Sequence, residues 1–510
     1  MDRNSLFNLL IANFGFTPTG DQAIVMSHLS AFILSKKERP VYLLRGYAGT
    51  GKTTLVSTLV KTLPQIGMNY YLLAPTGRAA KVMSRYTGTT ASTLHRKLYR
   101  YQHVANGDFR MTRAENKAKN TIFIVDECSM ISDQSDGFSW SNSLLDDLIN
   151  YVFSGDNCKL LLIGDTAQLP PVGLEISPAM DFDILRNSFS LTIATYEMKE
   201  VMRQALDSGI LHNATNLRNL MSTVNSQQST VSYQLPILDI NNFNDIERID
   251  PMTFEELLWQ SFGNKQSSND AVVVCRSNKR ANMFNQAIRS RVLQEEGELS
   301  AGEKLMVVKN NYFWVDGRQT TDNNQQSSQN SQFLSFSDSQ IQKNNFIANG
   351  DMIEVMKINK IEEMYGFHFA DVEIKMLDYE SQPCLSVKIL METLHSDAAS
   401  LSPEESKRLY QAVEEDYMDI PRAADRRKMM KNNPYFNALQ VKYGYALTCH
   451  KTQGGQWNNV FVEAPYLPDE TSLELGDMRW LYTALTRASD KIYLVNFKDE
   501  WFIEKLINFN

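Results

Sequence analysis

Eight consecutive residues, Gly46-Tyr47-Ala48-Gly49-Thr50-Gly51-Lys52-Thr53, carry the spacing G-x-x-x-x-G-K-[ST]. That spacing suits phosphate chemistry: glycines let a loop wrap closely, and its amides then converge on phosphates at a helix N-terminus. Lys52 is placed to reach the β- and γ-phosphates, and the Thr53 hydroxyl to ligate Mg²⁺. Gly46, Gly49, Thr50, Gly51, Lys52, Thr53 and Thr54 are therefore expected to hold ATP. Further along, Asp126-Glu127 closes the apolar run IFIV. Asp126 would complete the Mg²⁺ shell at a strand's end, while Glu127 would orient or deprotonate the attacking water. In LLLIGDTAQLPP a further apolar run ends at Gly164-Asp165 and leads to Gln168, whose amide could report whether a γ-phosphate is present.

Groups so far apart in sequence need a scaffold that brings them to one edge. Val41–Gly46, Tyr70–Pro75, Thr121–Glu127 and Lys159–Asp165 are apolar runs separated by helix-sized segments. Such runs read as buried parallel strands of an α/β domain. A second series begins at Ala271–Cys275 and resumes near Tyr445 and at Lys491–Val495. Between them, Gly302–Glu392 alternates apolar and polar residues, which predicts a small antiparallel barrel or sheet. A charged, helical-looking stretch, Ser402–Lys431, follows. The expected organisation is a first α/β domain over residues 1–200 with an insertion at 98–120. A second spans 201–301 and 435–510 and is interrupted by a β-rich insertion over 302–434. Three polar stretches, Ser222–Gln234, Gly263–Asp270 and Arg318–Asn345, read as linkers or loops.

The 510 residues suggest several domains, and 43% hydrophobic with 22% charged residues is a globular composition. No run of 18 apolar residues is present, so a spanning helix is not expected. The first fifteen residues lack the pattern of a secretory signal. Five cysteines with no C-x-x-C pair argue against a disulfide framework or zinc ribbon, and a cytoplasmic setting is expected. The net charge of −8 does not exclude nucleic acid, because charge is unevenly distributed. Ala74–Arg100 holds six Lys/Arg and no Asp or Glu, and only a local groove sets phosphate affinity.

Taken in order, YAGTGKT, APTGRAAK, TASTLH, IVDECSM, LIGDTAQLPPV, VMRQ, YALTCHKTQGGQW and LYTALTRA resemble the motifs of superfamily 1 helicases. Their spelling is similar to the RecD/Dda/Pif branch, superfamily 1B, over nearly the whole chain. The resemblance implies two RecA-like P-loop motor domains, with a small β-hairpin insertion in the first and an SH3-like β-barrel insertion in the second. It also implies that Gln22 reads adenine, since an amide can pair with the N6/N7 edge. Arg203 in VMRQ and Arg487 in ALTRA resemble arginine fingers from the second motor, suited to transferring phosphoryl charge. Where the family usually has a glutamate contacting ribose, this chain has Gln456, which can still accept through its amide oxygen. Pro75, Thr76, Gly77, Arg78, Thr93 and His95 resemble single-strand contacts in the first motor. Thr448, His450 and Lys451 resemble the matching contacts in the second.

Tyr99, Tyr101 and Phe109 lie beside the basic stretch and would either stack on bases or pack in the core. Ala105-Asn106-Gly107-Asp108 is a hairpin-turn signal, and in the family a pin that parts the duplex occurs here. A surface hairpin without that role is the alternative. The implied function is an ATP- and Mg²⁺-dependent DNA helicase moving 5′→3′, serving DNA repair, recombination or replication. Single-stranded DNA and duplex junctions would be its partners, with no membrane, and it would act as a monomer. An RNA helicase or a P-loop switch that does not unwind are the competing readings.

Overall fold

The computed structural model describes residues 1–103, 109–132, 143–202, 207–222, 233–263, 270–311, 313–314, 347–377, 384–466 and 472–502. Six parallel strands make the first sheet, in the order Ser92–Thr93, Asn69–Ala74, Thr121–Val125, Lys159–Gly164, Pro40–Gly46 and Thr192–Met198. Alternate residues of each strand feed separate cores, as a two-residue period requires. Tyr42, Leu44, Ile122, Ile124, Leu161 and Ile163 pack with residues of the Arg3–Phe14, Gly20–Leu34 and Lys52–Thr62 helices. Val41, Leu43, Phe123, Val125, Leu160 and Leu162 face the Leu144–Phe153 helix. With both faces covered, the strands show no polar alternation, which is why they read as continuous apolar runs. The loops after Gly46, Ala74, Val125 and Gly164 all leave from the C-terminal ends of neighbouring parallel strands. In an open parallel sheet that edge is where ligands bind.

The second sheet is also parallel, ordered Ile246–Ile249, Ala488–Val495, Trp457–Glu463, Ala271–Cys275 and Ala446–Thr448. These are the two RecA-like sheets that the motif order implied. Lys304–Val307, Met352–Met364, Phe367–Met376, Leu385–Leu390 and Leu439–Tyr443 close into a five-stranded barrel. Its closing strand lies beyond residue 434, the end expected from sequence, because Leu439–Tyr443 pairs with both Lys304–Val307 and Leu385–Leu390. The barrel interior and one face of the second sheet share a continuous core that includes Leu305, Ile353, Val372, Val441, Val273 and Phe461.

Tyr99–His103 pairs antiparallel with Phe109–Arg113, from Tyr99↔Arg113 to His103↔Phe109. The turn signal at Ala105–Asp108 lies outside the described residues, as do most of Gly263–Asp270 and all of Arg318–Asn345. The first polar stretch is not all linker: Tyr233–Gln234 forms a short strand with Ser472–Leu473. Among the described residues no helix is long and apolar enough to cross a membrane.

Candidate nucleotide site and motor seam

The phosphate loop takes its shape from left-handed backbone at Gly49 (φ 76°) and Gly51 (φ 87°). Gly51 begins the Lys52–Thr62 helix, and a Cβ there would sit 2.3 Å from Gln22 Nε2. Only glycine satisfies both demands. Lys52 Nζ donates to the carbonyls of Gly46 (2.7 Å) and Tyr47 (2.9 Å), which holds the ammonium against the loop. The buried Thr50 braces the loop through Oγ1 to the Tyr47 carbonyl at 2.8 Å. Thr53 is exposed and Thr54 half-buried on the first helical turn. Gln22 is buried against this loop: its Nε2 donates to the Thr50 carbonyl at 3.0 Å and its Oε1 accepts from Thr19 N–H at 2.9 Å. Any pairing with adenine would draw on the second amide hydrogen and the remaining lone pair.

Asp126 and Glu127 follow the adjacent strand. Asp126 accepts from Tyr86 Oη at 2.7 Å and from Glu127 N–H at 2.9 Å. Glu127 lies in left-handed backbone (φ 53°). Burial, reinforced by the neighbouring Asp126 charge, pushes its carboxyl up to about 7, while Arg487 and Lys52 pull the other way. Groups from both sheets thus share one electrostatic field. Gln168 is buried, and its Oε1 has no hydrogen-bond partner among the described residues. An acceptor so placed marks a site for a donor. The exposed Thr53 hydroxyl and Asp126 carboxylate are hard oxygen ligands of the kind Mg²⁺ uses, beside a loop shaped for phosphates. The residues fit a nucleoside triphosphate with Mg²⁺.

Arg487 enters from the second sheet. It is 4% exposed, and its guanidinium donates to the Thr483 carbonyl (2.9 Å), the Gly455 carbonyl (3.2 Å) and Thr486 Oγ1 (3.1 Å). Arg203 lies outside the described residues. The preceding Met202 donates its N–H to the Gly49 carbonyl at 3.0 Å, so that segment lies on the phosphate loop. Tyr482 Oη accepts from Ala48 N–H at 2.8 Å and donates to Asp165 at 2.7 Å. Leu169 is gripped twice, through its N–H to Thr483 Oγ1 (2.9 Å) and its carbonyl from Gln453 Nε2 (2.6 Å).

The expected strand-contacting residues separate into two groups. Arg78, one of the expected strand contacts, faces the seam between the motors. Its guanidinium stacks 3.8 Å from the Trp457 ring centre, donates to the Gln456 carbonyl at 3.2 Å and pairs with Asp270 at 3.5 Å. Gln456 is exposed beside Arg78, and the close packing at Gly454 and Gly455 against Ala79 and Arg78 explains two glycines in succession. Thr76 and Thr93 cap the helices Gly77–Thr87 and Leu94–Leu98, accepting from Ala79 and Arg96 N–H at 3.2 Å each. Pro75 is half-buried and Gly77 buried beside Thr76. His95 is half-buried with its ring 5.7 Å from Tyr99, whose hydroxyl donates to Asp147 at 2.8 Å. Thr448, His450 and Lys451 share one turn after the Ala446–Thr448 strand. Burial, with Lys442 nearby, brings the Lys451 ammonium down to about 8. The side chains of Tyr101 and Phe109 lie outside the described residues.

Comparison with known proteins covers both motors. Residues 21–228 match the family model described as an AAA domain, and residues 443–495 match the UvrD-like helicase C-terminal domain. The ATP-dependent RecD2 DNA helicase of Deinococcus radiodurans is 30% identical over 203 residues, covering 39% of this chain and 23% of that one. The ATP-dependent DNA helicase Dda of Enterobacteria phage T4 is 24% identical over 297 residues, 56% of this chain and 60% of its own. Both motors are thus similar to helicases of the RecD and Dda kind. The chain spans less than two thirds of either relative's length. A solved Pif1 helicase from Bacteroides, in complex with ADP-AlF3 and single-stranded DNA, is 14% identical with a TM-score of 0.44, over 96% of this chain and 95% of that one.

In this chain several site residues escape a reading by motif alone. Tyr86, Gln453, Tyr482 and Thr483 touch Asp126, Leu169, Ala48 and Asp165 only through tertiary packing. Gln453, Tyr482 and Thr483 lie inside TQGGQW and LYTALTRA, where motif spelling points to Gln456 and Arg487 instead. Nothing local to Tyr86 distinguishes it from a helix-packing tyrosine.

Proposed function

We propose that the chain is an ATP- and Mg²⁺-dependent DNA helicase that moves 5′→3′ along a single strand. One observation carries this reading: the Tyr482 hydroxyl of the second motor bonds directly to the Ala48 amide of the phosphate loop in the first. Such contact makes the two motors share one nucleotide site, so hydrolysis and relative motion are linked. RecD2 and Dda, both ATP-dependent DNA helicases by name, support the substrate class.

Lys52 and the loop amides would bind the phosphates, and Glu127 would take the proton of the attacking water. Thr53 and Asp126 would hold Mg²⁺, which supplies charge neutralisation at the phosphates when bound. Gln168 would orient the attacking water or the γ-phosphate, and Arg487 would face the charge developing on the phosphoryl oxygens. Arg203 would join it, and Gln22 would meet the base. Pro75, Thr76, Gly77, Thr93, His95, Thr448, His450 and Lys451 line the two loop systems that would track the backbone, a contact mode that reads no sequence. The Tyr99–His103/Phe109–Arg113 hairpin would serve as the pin, and the five-stranded barrel, in the SH3-like role, would hold the strand against it. A cytoplasmic, monomeric enzyme is the setting this reading favours.

The deciding experiment offers the protein duplexes with either a 5′ or a 3′ single-stranded tail, in the presence of ATP and Mg²⁺. Unwinding of the 5′-tailed duplex alone is expected. Equal or preferential unwinding from the 3′ tail overturns the direction, and ATP hydrolysis indifferent to single-stranded DNA overturns the motor.

A further inference from the structure

We propose that Tyr482 is a positioning residue that sets the phosphate loop and the Gln168 loop for hydrolysis, making turnover depend on contact from the second motor. The inference rests on the motor reading above. Tyr482 belongs to the Leu475–Leu485 helix and is 1% exposed. Its hydroxyl bridges two loops of the other domain, Ala48 N–H at 2.8 Å and Asp165 Oδ2 at 2.7 Å. The direction of this relay is fixed. Burial, followed by the Asp165 charge, raises the phenol well above its ordinary value, so it keeps its proton. Ala48 offers a donor, which leaves the Asp165 carboxylate to receive the tyrosine proton's hydrogen bond.

Asp165 in turn starts the loop that carries Gln168. Its other oxygen accepts from Ala167 N–H at 2.9 Å, shaping the turn. The far end of the loop is held by the next residue of the same helix: Thr483 Oγ1 accepts from Leu169 N–H at 2.9 Å. Gln453 adds its bond to the Leu169 carbonyl at 2.6 Å. Gln168 therefore lies between two anchors that both come from the second motor. Within this arrangement its Oε1 has no partner among the described residues and is buried. The helix clamps the ends of the loop and leaves the amide oxygen free for a ligand. Arg487 follows the same helix, so one rigid-body movement withdraws the clamp and the arginine together.

The test is a kinetic cycle on the full chain with single-stranded DNA, comparing the unaltered protein, Tyr482→Phe, Gln168→Ala and the double variant. Tyr482→Phe keeps the ring and removes the bridge. It should lower DNA-stimulated kcat about tenfold while KM for ATP moves less than about twofold, the signature of lost transition-state positioning. If Tyr482 acts through Gln168, the same substitution should have little further effect in the Gln168→Ala background. Thr483→Val, which spares Tyr482, should show the same split between kcat and KM and covers the case in which Tyr482→Phe melts early. Unchanged kcat in a folded Tyr482→Phe protein, or full additivity with Gln168→Ala, overturns the assignment. Absence of ATP hydrolysis by the unaltered protein would instead overturn the motor reading itself, and this one with it.

Discussion

Glu127 combines left-handed backbone, burial and an adjacent carboxylate, three unfavourable conditions concentrated at one residue. Such costs collect where function holds a group in place. Its carboxyl, pushed up to about 7 chiefly by burial, must be ionised to accept a proton from water. The pH profile of kcat/KM should therefore fall as pH drops through neutrality, well above the ordinary carboxylate range. Glu127→Gln should retain ATP binding and lose turnover. Stability adds a second readout. The folded carboxyl binds its proton more tightly than the unfolded one, so this residue costs stability above its folded pKa, and the cost fades as pH falls. Glu127→Gln should consequently melt higher than the unaltered protein at about pH 8, with the gap closing by about pH 5. An identical melting curve at both pH values would sink that account. Lys52, Asp126 and Glu127 are legible in sequence because each stands in a short contiguous motif at a strand end. Tyr86 and Tyr482 are not, since a tyrosine in an apolar helix looks like core until its hydroxyl partner on another element is known.

At the scale of elements, the strands that are easy to read are those buried on both faces. Thr121–Val125, Lys159–Gly164 and Ala271–Cys275 are buried at every position. Ile246–Ile249 is hard to read because it is an edge strand, with the charged Glu247 and Arg248 exposed between two buried isoleucines. The barrel is legible in its alternation, but its last strand is not, because three helices, Glu392–His395, Pro403–Glu415 and Ala423–Lys431, separate Leu439–Tyr443 from the strand before it. Where the barrel meets the second sheet, the π-helical Ile288–Val292 presents Arg289 to Glu303, and both side chains are buried. Arg289 also lies over the Tyr443 ring, and Glu303 accepts from Ser300 N–H at 3.0 Å. Removing one partner strands the other charge. Glu303→Ala should cost about 3–5 kcal/mol in denaturant unfolding. Replacing both partners with apolar residues of similar volume should cost much less. A Glu303→Ala midpoint equal to that of the unaltered protein would show that the pair contributes no such constraint.

For the whole molecule, the decisive fact is that the motors meet through polar groups as well as apolar ones. Arg78 is a residue for which two surfaces, the strand track and the motor seam, compete. A basic residue at the start of a helix facing the strand track suggests phosphate, yet Trp457, Gln456 and Asp270 of the other motor enclose it. The two roles predict different behaviour. If Arg78 gripped a phosphate, Arg78→Ala would lower single-strand affinity and reduce the salt slope by about one counterion. The seam role predicts an unchanged slope, altered Trp457 fluorescence, and a loss of about 0.5–2 kcal/mol from the closed state. Titration of single-stranded DNA at several salt concentrations, with tryptophan emission recorded in parallel, separates them.

Across this seam, many of the groups being held belong to the main chain. Tyr482 meets the Ala48 amide, Thr483 and Gln453 meet the Leu169 peptide groups, Arg78 meets the Gln456 carbonyl and Arg479 meets that of Glu175. Every residue type presents the same carbonyl, and all but proline the same amide. Evolutionary drift can therefore change the side chains at 48, 169, 175 and 456 without breaking the grip, provided the backbone path survives. Pairwise covariation between the motors should be faint at these positions, even though the groups lie close together. A contact map inferred from correlated substitutions would draw this interface from side-chain pairs such as Tyr482–Asp165 and Arg78–Asp270 and would miss the main-chain grips.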